Sequence, residues 1–328
     1  MKFVIAVWAF LKTGMIPVPV NVRASWEEIE KMIENIEPDA VLFSKEFSED
    51  IIKSFGNSDV SLICMDKVID AGNSVINWED FVKKSKDSEP NIDVLETDDA
   101  VILFTGGITG IPKGAILTHR NLMHLIINIM VFNDSPRPEH LIVHPLPMSH
   151  ISGFSRMLTY IWAGATYVSV KSFDPELCLE LIQKWKVTAI MGGPLIFLPM
   201  LNVQKKLHYD TSSVLFCNNS FSFIHKGDIE NMLKVLWPNA AVYESYGLTE
   251  GGGADTILRP DHIPEEFGSC GLPLLHTKVS IVDDIGKEMA NGYIGEIILR
   301  SPRYLQVISE TQRKLIRHLL KVGYILVT

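Results

Sequence analysis

Apolar residues in this chain fall into two patterns: short continuous runs, and stretches where they recur every three or four positions. The first pattern reads as buried strand and the second as amphipathic helix. Ile16–Val20 predicts a strand, followed by a helix over Trp26–Ile36 that lines up Ile29, Met32, Ile33 and Ile36 on one face. Ser25 and Glu28 have the spacing of a capping box, in which each side chain satisfies a backbone N–H of the other's turn. Ala40–Phe43 and Val60–Met65 read as strands on either side of a helical Lys45–Phe55, and Ala100–Phe104 is a further apolar run. Downstream, Asp174 as N-cap and Pro175 at the first helical position open a helix with Leu177, Leu181 and Trp185 on one face. A strand over Val187–Met191, a strand over Val214–Phe216, a helix over His225–Leu236 and a strand over Ala241–Tyr243 continue the alternation. Strands that are apolar throughout and alternate with helices predict an α/β fold whose parallel sheet is covered on both sides. The pattern changes twice. Ala71–Val94 is polar and reads as a surface connection, and from Val279 the chain turns β-rich, with Val279–Val282, a turn through Asp283–Gly286, and Glu296–Arg300.

At 328 residues, 47% hydrophobic and with mean hydropathy of +0.17, the chain can fill a substantial core in two lobes. A net charge of −9 and scattered lysines and arginines give no electrostatic footprint for nucleic acid. Cys64, Cys178, Cys217 and Cys270 are far apart and have no matching histidine spacing, so neither a zinc site nor a disulfide framework is suggested, and a reducing compartment fits. No apolar run reaches the roughly 18 residues of a membrane span. Ala189–Leu201 comes nearest and contains Pro194 and Pro199.

The densest chemistry is Thr105–Gly114, which follows the apolar run Ala100–Phe104 with glycines, threonines and a lysine. Glycines let backbone N–H groups turn onto an anion, hydroxyls add donors, and lysine adds a point charge, so the composition suits phosphate. It is not a Walker A loop: Lys113 follows Pro112 and precedes Gly114, where that motif needs Gly-Lys-Ser/Thr. The dinucleotide pattern G-x-G-x-x-G does not match either. The stretch resembles the Thr-Ser-Gly-Thr-Thr-Gly-x-Pro-Lys-Gly signature of the adenylate-forming superfamily, which includes acyl-CoA synthetases, 4-coumarate-CoA ligases and firefly luciferases. It departs at Gly106 and Ile108, losing two hydroxyl donors. Ala115–Leu122 is similar to the start of the helix that follows this loop in the family, with Thr118 as its cap.

Three further segments follow in the family's order. His144–Gly153 resembles Pro-Leu-x-His-x-x-Gly, which would place His150 where the acyl group and its carboxylate bind; read alone, His150 is equally a hydrogen-bonded loop histidine. Tyr243–Glu250 is similar to Tyr-Gly-x-Thr-Glu. Its residue types suit a magnesium nucleotide: an aromatic ring to stack on a base, a hydroxyl for phosphate, a carboxylate for the metal. Taken singly, Tyr246 could be core and Glu250 surface charge. Gly268–Pro273 and Gly295–Arg300 resemble family turns and a strand and add no catalytic group.

The resemblance runs from about Lys12 to about Pro302. It implies the large N-terminal domain of the adenylate-forming fold over residues 1–300, with 301–328 leading toward a hinge and a lid domain that the sequence does not include. It also implies ATP-dependent activation of a carboxylic acid, fatty or aromatic, to an acyl-adenylate and its transfer to coenzyme A, with Mg²⁺. Thr105, Gly106, Gly107, Thr109, Gly110 and Lys113 would hold phosphates, Tyr246 and Gly247 the base, Thr249 the α-phosphate and Glu250 the metal. Lys113, His150, Thr249 and Glu250 would be the catalytic set. The adenine-edge segment, Gly-Ala-Pro-Leu in the family, falls in Cys217–Ser222, where Asn219, Ser220 and Phe221 replace it. Gly323–Thr328 resembles the start of Gly-Trp-x-x-Thr-Gly-Asp and stops before the ribose-binding aspartate. These departures set a second expectation beside the ligase, a catalytically impaired nucleotide- or acyl-binding protein. Lys12–Asn21 resembles the family's Leu-Lys-Ala-Gly and Val-Pro-Val-Asn, making Phe3–Leu11 a buried helix in a cytoplasmic or peroxisomal protein. The same run also has the charge and length of a secretory h-region. The sequence carries no signature of oligomeric state.

Overall fold

The computed structural model describes residues 1–67, 75–105, 113–132, 136–220, 226–262, 266, 268–302, 304 and 323–327. The chain divides into two compact units, Met1–Arg120 with Leu305–Thr328, and Asn121–Tyr304.

The first unit opens with α1 (Lys2–Lys12), which buries Phe3, Ala6, Val7, Phe10 and Leu11 at helical spacing. Phe3–Leu11 therefore pack as a core helix. Then come β1 (Ile16–Pro19), α2 (Trp26–Ile36), β2 (Ala40–Phe43), α3 (Ser48–Phe55) and β3 (Ser61–Cys64). At α2 the Ser25–Glu28 capping box forms in both directions, and Ile29, Met32 and Ile33 are buried. The predicted helix over Lys45–Phe55 splits into a 3₁₀ turn, Lys45–Phe47, and α3. β4 (Val75–Asn77) and α4 (Trp78–Lys84) lie inside the stretch expected to be a plain surface connection. The reason is local: Val75 and Ile76 extend the sheet beside β3, and Trp78 is buried beyond them. The sheet is parallel, with the strand Gly323–Val327 inserted between β1 and β2 and β3 and β4 beyond. Val18, Ile29, Ile33, Val41 and Phe43 form its core together with Ile102 and Ile116. The last two come from an antiparallel hairpin of β5 (Asp99–Thr105) and β6 (Lys113–Thr118). α5 (His119–Phe132) follows directly, so the helix begins one residue after Thr118.

The second unit contains β7 (Leu141–His144), α6 (Ile151–Trp162), β8 (Thr166–Ser169), α7 (Pro175–Trp185), β9 (Ala189–Gly192), α8 (Pro194–Leu207), β10 (Phe216–Asn219), α9 (Lys226–Leu236), β11 (Ala241–Leu248), β12 (Gly253–Leu258) and β13 (Leu272–Pro273). These strands form one sheet in the order β13-β12-β11-β10-β9-β7-β8, parallel from β8 to β11 and antiparallel at β12 and β13. Alternate residues serve opposite faces. Ile142 and Ala189 pack with Tyr160 of α6, while Val143 and Ile190 pack with Cys178, Ile182, Phe197 and Leu233 of α7, α8 and α9. Both faces are thus covered, as the continuous apolar runs predict. β14 (Lys278–Val282) and β15 (Glu296–Arg300) form a separate antiparallel pair.

Three expectations shift. On α7, Asp174 caps as expected, but the buried stripe is Cys178, Leu179 and Ile182, whereas Leu177 and Trp185 are exposed. The neighbouring stripe wins because it faces the α8 and β9 core, and Trp185 lies under the Lys184 ammonium instead. β10 begins at Phe216 rather than Val214: the Val214 N–H is held in a turn by Thr211 O, and the ladder takes in Asn218 and Asn219. β11 runs to Leu248, well past Tyr243, because β12 pairs with its second half. Among the described residues no helix is long and apolar enough to cross a membrane.

Candidate active site

In the first unit, Thr105 ends β5 and Lys113 begins β6, and the two face each other across the ladder. Thr105 Oγ1 donates to the Lys113 carbonyl oxygen at 3.3 Å, while the Lys113 side chain is exposed. This closes the base of the glycine loop. Gly106, Gly107, Thr109 and Gly110 lie outside the described residues, as does Phe221.

In the second unit, the carboxyl ends of the parallel strands form the edge where open α/β sheets take ligands. The register sets Asn219 opposite Gly192 on one side and Glu244 on the other. Asn219 Nδ2 donates to Glu244 Oε1 at 3.0 Å, with both side chains buried. Burial pushes the Glu244 carboxyl above the usual carboxylate range, and hydrogen bonds from Asn219 and the Gly268 backbone pull it partly back. Among the described residues Asn219 Oδ1 is buried with no hydrogen-bond partner. Ser220 donates to Gly192 O from both its N–H, at 2.9 Å, and its hydroxyl, at 3.3 Å. Ser245 Oγ donates to Asn218 Oδ1 at 3.0 Å. Side-chain bonds thus stitch the polar ends of β10 and β11.

β11 continues into Tyr246 and Gly247, where the ladder with β12 is bulged. Tyr246 is half-buried, and desolvation raises its phenol pKa. A Cβ on Gly247 would lie 1.8 Å from Gly253 O, so the two strands meet at a distance that glycine alone allows. Thr249–Gly251 then form a 3₁₀ turn closed by Gly252 at φ 76°, whose N–H donates to Thr249 O at 2.9 Å. Thr249 is buried and Glu250 half-buried on this turn. Beneath it, Tyr304 Oη donates to Asp255 Oδ2 at 2.7 Å, and a Cβ on Gly251 would meet the Tyr304 ring at 2.7 Å. The turn is backed by a buried carboxylate and an aromatic ring.

His150 is the N-cap of α6, its Nδ1 accepting from the Ser152 N–H at 3.2 Å and lying 2.8 Å from Ser152 Oγ. Accepting at Nδ1 places the neutral ring's proton on Nε2, and desolvation lowers its pKa. Nδ1 thus ties the ring to the first turn of its own helix. Gly153 is required here, since a Cβ would lie 2.1 Å from Pro147 O.

The expected residues therefore fall into two sets. Thr105 and Lys113 meet in the first unit; Asn219, Ser220, Tyr246, Gly247, Thr249 and Glu250 share β10, β11 and the turn after it in the second, and His150 stands at the head of α6. Glu244, Asp255 and Tyr304 were not expected. Glu244 was legible as a charge inside the apolar-flanked Tyr243–Glu250 stretch; Asp255 and Tyr304 are joined across 49 positions, which no local pattern reports.

Residues 1–308 match the family described as AMP-binding enzyme. The chain belongs to that family. It is 27% identical over 300 residues to 4-coumarate--CoA ligase-like 9 of Arabidopsis thaliana, a match covering 90% of this chain and 51% of the relative. It thus spans about half the length of the curated relatives it matches. Among solved structures it is similar to a long-chain-fatty-acid-CoA ligase (FadD1) from Archaeoglobus fulgidus, with TM-score 0.85, 22% identity, and 95% of this chain and 64% of that one covered. It is also similar to O-succinylbenzoate Coenzyme A Synthetase (MenE) from Bacillus subtilis, solved with ATP and magnesium ion, with TM-score 0.76, 22% identity and coverage of 96% and 62%. The AMP-binding family chain keeps the α/β architecture of these neighbours, parallel sheets flanked by helices.

Proposed function

We propose that this protein serves ATP-dependent activation of a carboxylic acid, fatty or aromatic, followed by thioester formation with coenzyme A. The observation that carries the reading is the Thr249–Glu250 turn at the end of β11, the strand whose Glu244 pairs with Asn219 of β10, in a chain of the AMP-binding family. In the reaction a carboxylate oxygen bonds to the α-phosphorus of ATP and pyrophosphate leaves. The coenzyme A thiol then attacks the acyl carbon and AMP leaves, with the thiol proton passing to solvent or base.

The residues present fit these groups. Thr249 and Glu250 sit side by side on a rigid turn, a hydroxyl and a hard carboxylate oxygen, the donor types for phosphate and Mg²⁺. Among the described residues no cluster of three or more His, Cys, Asp or Glu forms a cage. That suits a magnesium held by one carboxylate with substrate phosphates and water. When bound, Mg²⁺ supplies neutralisation of the triphosphate charge. Lys113 and the Thr105–Gly114 loop add a cation and backbone donors for phosphate. Tyr246 offers a ring face to the base, and the His150 Nε2–H donates toward the acyl carboxylate.

ATP–pyrophosphate exchange with a panel of fatty and aromatic acids tests this. Exchange that drops by about 100-fold or more in Glu250→Ala supports the ligase, since a lost charge-stabilising contact costs that order in rate. No exchange with any acid sinks it. A second reading, an impaired nucleotide- or acyl-binding protein, is favoured by one feature: Asn219, held by the buried Glu244 carboxyl, stands in the segment where the resemblance expects small residues. It predicts nucleotide binding by calorimetry without exchange.

A further inference from the structure

β14 and β15 stand as a two-stranded antiparallel sheet, with no third strand beside them among the described residues. A lone pair of strands is marginal in water, and further strands are needed to hold an apolar face. This pair has such a face. Val279 and Ile281 of β14 lie directly opposite Leu299 and Ile297 of β15, so alternation puts all of them on one side. Lys278, Ser280, Glu296, Ile298 and Arg300 take the other.

The two edges of the pair differ. On the β14 edge, the Met289 N–H donates to Ile281 O at 2.8 Å and the Asp283 N–H to Lys287 O at 3.0 Å, so the chain folds back along that side after its turn. These bonds also fix the phase of the ladder. Ile281 points its backbone groups away from β15, which makes Ile281–Ile297 a non-hydrogen-bonded pair and, by alternation, Val279–Leu299 another. Ile297 and Leu299 therefore turn their N–H and C=O groups outward along the free edge of β15. Glu296, Ile297 and Arg300 are exposed on that strand, and Tyr293 and Ile294 just before it are 67% and 98% exposed. An open edge of this kind is a template for another strand.

Charge selects which strand fits. Lys278 and Arg300 face each other across the β14–β15 ladder, like charges in directly opposite positions, whereas Glu296 faces Val282. An acidic side chain on the open side of Arg300 would offset that repulsion. A second β15, laid antiparallel about Ile298, supplies it. In that register Ile297 and Leu299 of one copy exchange backbone hydrogen bonds with Leu299 and Ile297 of the other, the residues whose groups point outward. Each Glu296 then stands opposite Arg300 of the other copy, with Ile298 opposite itself. Centring the pairing on Ile297 or Leu299 instead would set Glu296 opposite Ile298 or Pro302 and leave the charges unmatched.

We propose that β15 is a homodimerisation edge, at which two copies of this chain pair β15 with β15 antiparallel and match Glu296 to Arg300 twice. The apolar faces of the two pairs become one continuous face. The contact is isologous and takes up the open edge of both copies, so it stops at the dimer. With five residues a side it is small, and the dimer is weak and reversible.

Sedimentation equilibrium of the chain from about 5 to 500 µM reads this as a monomer–dimer equilibrium. Glu296→Arg and Arg300→Glu, both at exposed positions, each set like charges opposite one another twice and weaken association by about ten-fold or more. Mixing the two single variants restores it, because every pair across the contact is again of opposite sign. Amide exchange gives a reading that needs no variant: the N–H groups of Ile297 and Leu299 slow as concentration rises, while that of Ile298, already turned toward β14, does not. A chain that stays monomeric across the range, growth beyond the dimer, association that neither charge reversal weakens, a mixture no tighter than its components, or exchange at Ile297 and Leu299 that ignores concentration overturns the proposal.

Discussion

Two hairpins carry the signature motifs, and they are built in opposite ways. β5 and β6 pair antiparallel and close at Thr105 and Lys113, leaving residues 106–112 between them. β11 and β12 pair just as closely, yet they are joined by a 3₁₀ turn with Gly252 in the left-handed region. The first hairpin carries a glycine-rich sequence between its strands, a composition that suits backbone N–H donors and freedom of φ and ψ. The second offers two side chains, Thr249 and Glu250, on a turn fixed by what lies beneath it. A site that must present a hydroxyl and a carboxylate in set positions gains from rigidity, because rotamers locked by packing need no ordering when ligand arrives. The same difference makes the second hairpin far less tolerant of change.

The sharpest way to break this contrast is to add one methyl group to each hairpin. Gly247→Ala drives a Cβ to 1.8 Å from the Gly253 carbonyl oxygen and 2.7 Å from the Ala254 backbone, neither of which can swing aside. The β11–β12 ladder must open, at a cost of about 3 kcal/mol or more, read as a lowered midpoint in denaturant unfolding. Gly114→Ala meets the Ile102 Cγ2 at 2.9 Å, a side-chain methyl that can rotate. Its cost stays near ~1 kcal/mol. Equal losses in the two variants would mean that the hairpins are not differently constrained.

Next in size is the support under the turn. Tyr304→Phe keeps the ring against Gly251 but removes the hydroxyl that donates to the fully buried Asp255. Leaving a buried carboxylate short of one donor costs about 1–3 kcal/mol in thermal or denaturant unfolding. An unchanged stability would place the rigidity of the turn elsewhere.

The strand ends beside the second hairpin have a pH signature. Glu244 titrates above its usual range in the folded chain because it is buried, so the native state holds its proton more tightly than the unfolded state does. For an acid shifted this way, stability is undiminished below the ordinary glutamate value and falls as pH rises from there through the folded pKa. Glu244→Gln keeps a partner for Asn219 and removes the titration. Unfolding midpoints measured across that window should decline in the parent chain and run flat in the variant; parallel curves would show that Glu244 is not the group responsible.

What the sequence disclosed follows the same division. Elements whose signal is local were legible: the Ser25–Glu28 box, Asp174–Pro175 at the start of α7, and the apolar strands that alternate across a sheet covered on both faces. The motif turn Thr249–Glu250 was legible because it is contiguous. Its support was not, because Asp255 and Tyr304 are brought together only by the fold. β10 was misplaced for a related reason: Asn218 and Asn219 are poor strand formers, and it is the neighbouring strands and the Ser245 and Glu244 side chains that hold them in the ladder.

The smallest expected effect concerns α7, where periodicity pointed to one stripe and the core took the next. Leu177, Leu181 and Trp185 recur at the spacing of a helix face, and so do Cys178 and Ile182 with Leu179 beside them. A helix with two adjacent apolar stripes buries the one that its neighbours can fill, and here β9 and α8 supply Ile190, Phe197 and Met200 to the second. Leu177 is 40% exposed, so Leu177→Ser should shift stability by no more than about 0.5 kcal/mol. Ile182→Ala, at 0% exposed in the same helix, serves as the control and should cost about 2–5 kcal/mol. If the serine variant approached the alanine variant in its unfolding midpoint, the stripe read from periodicity would be the buried one and the packing of α7 against the sheet would have to be turned by about 100°.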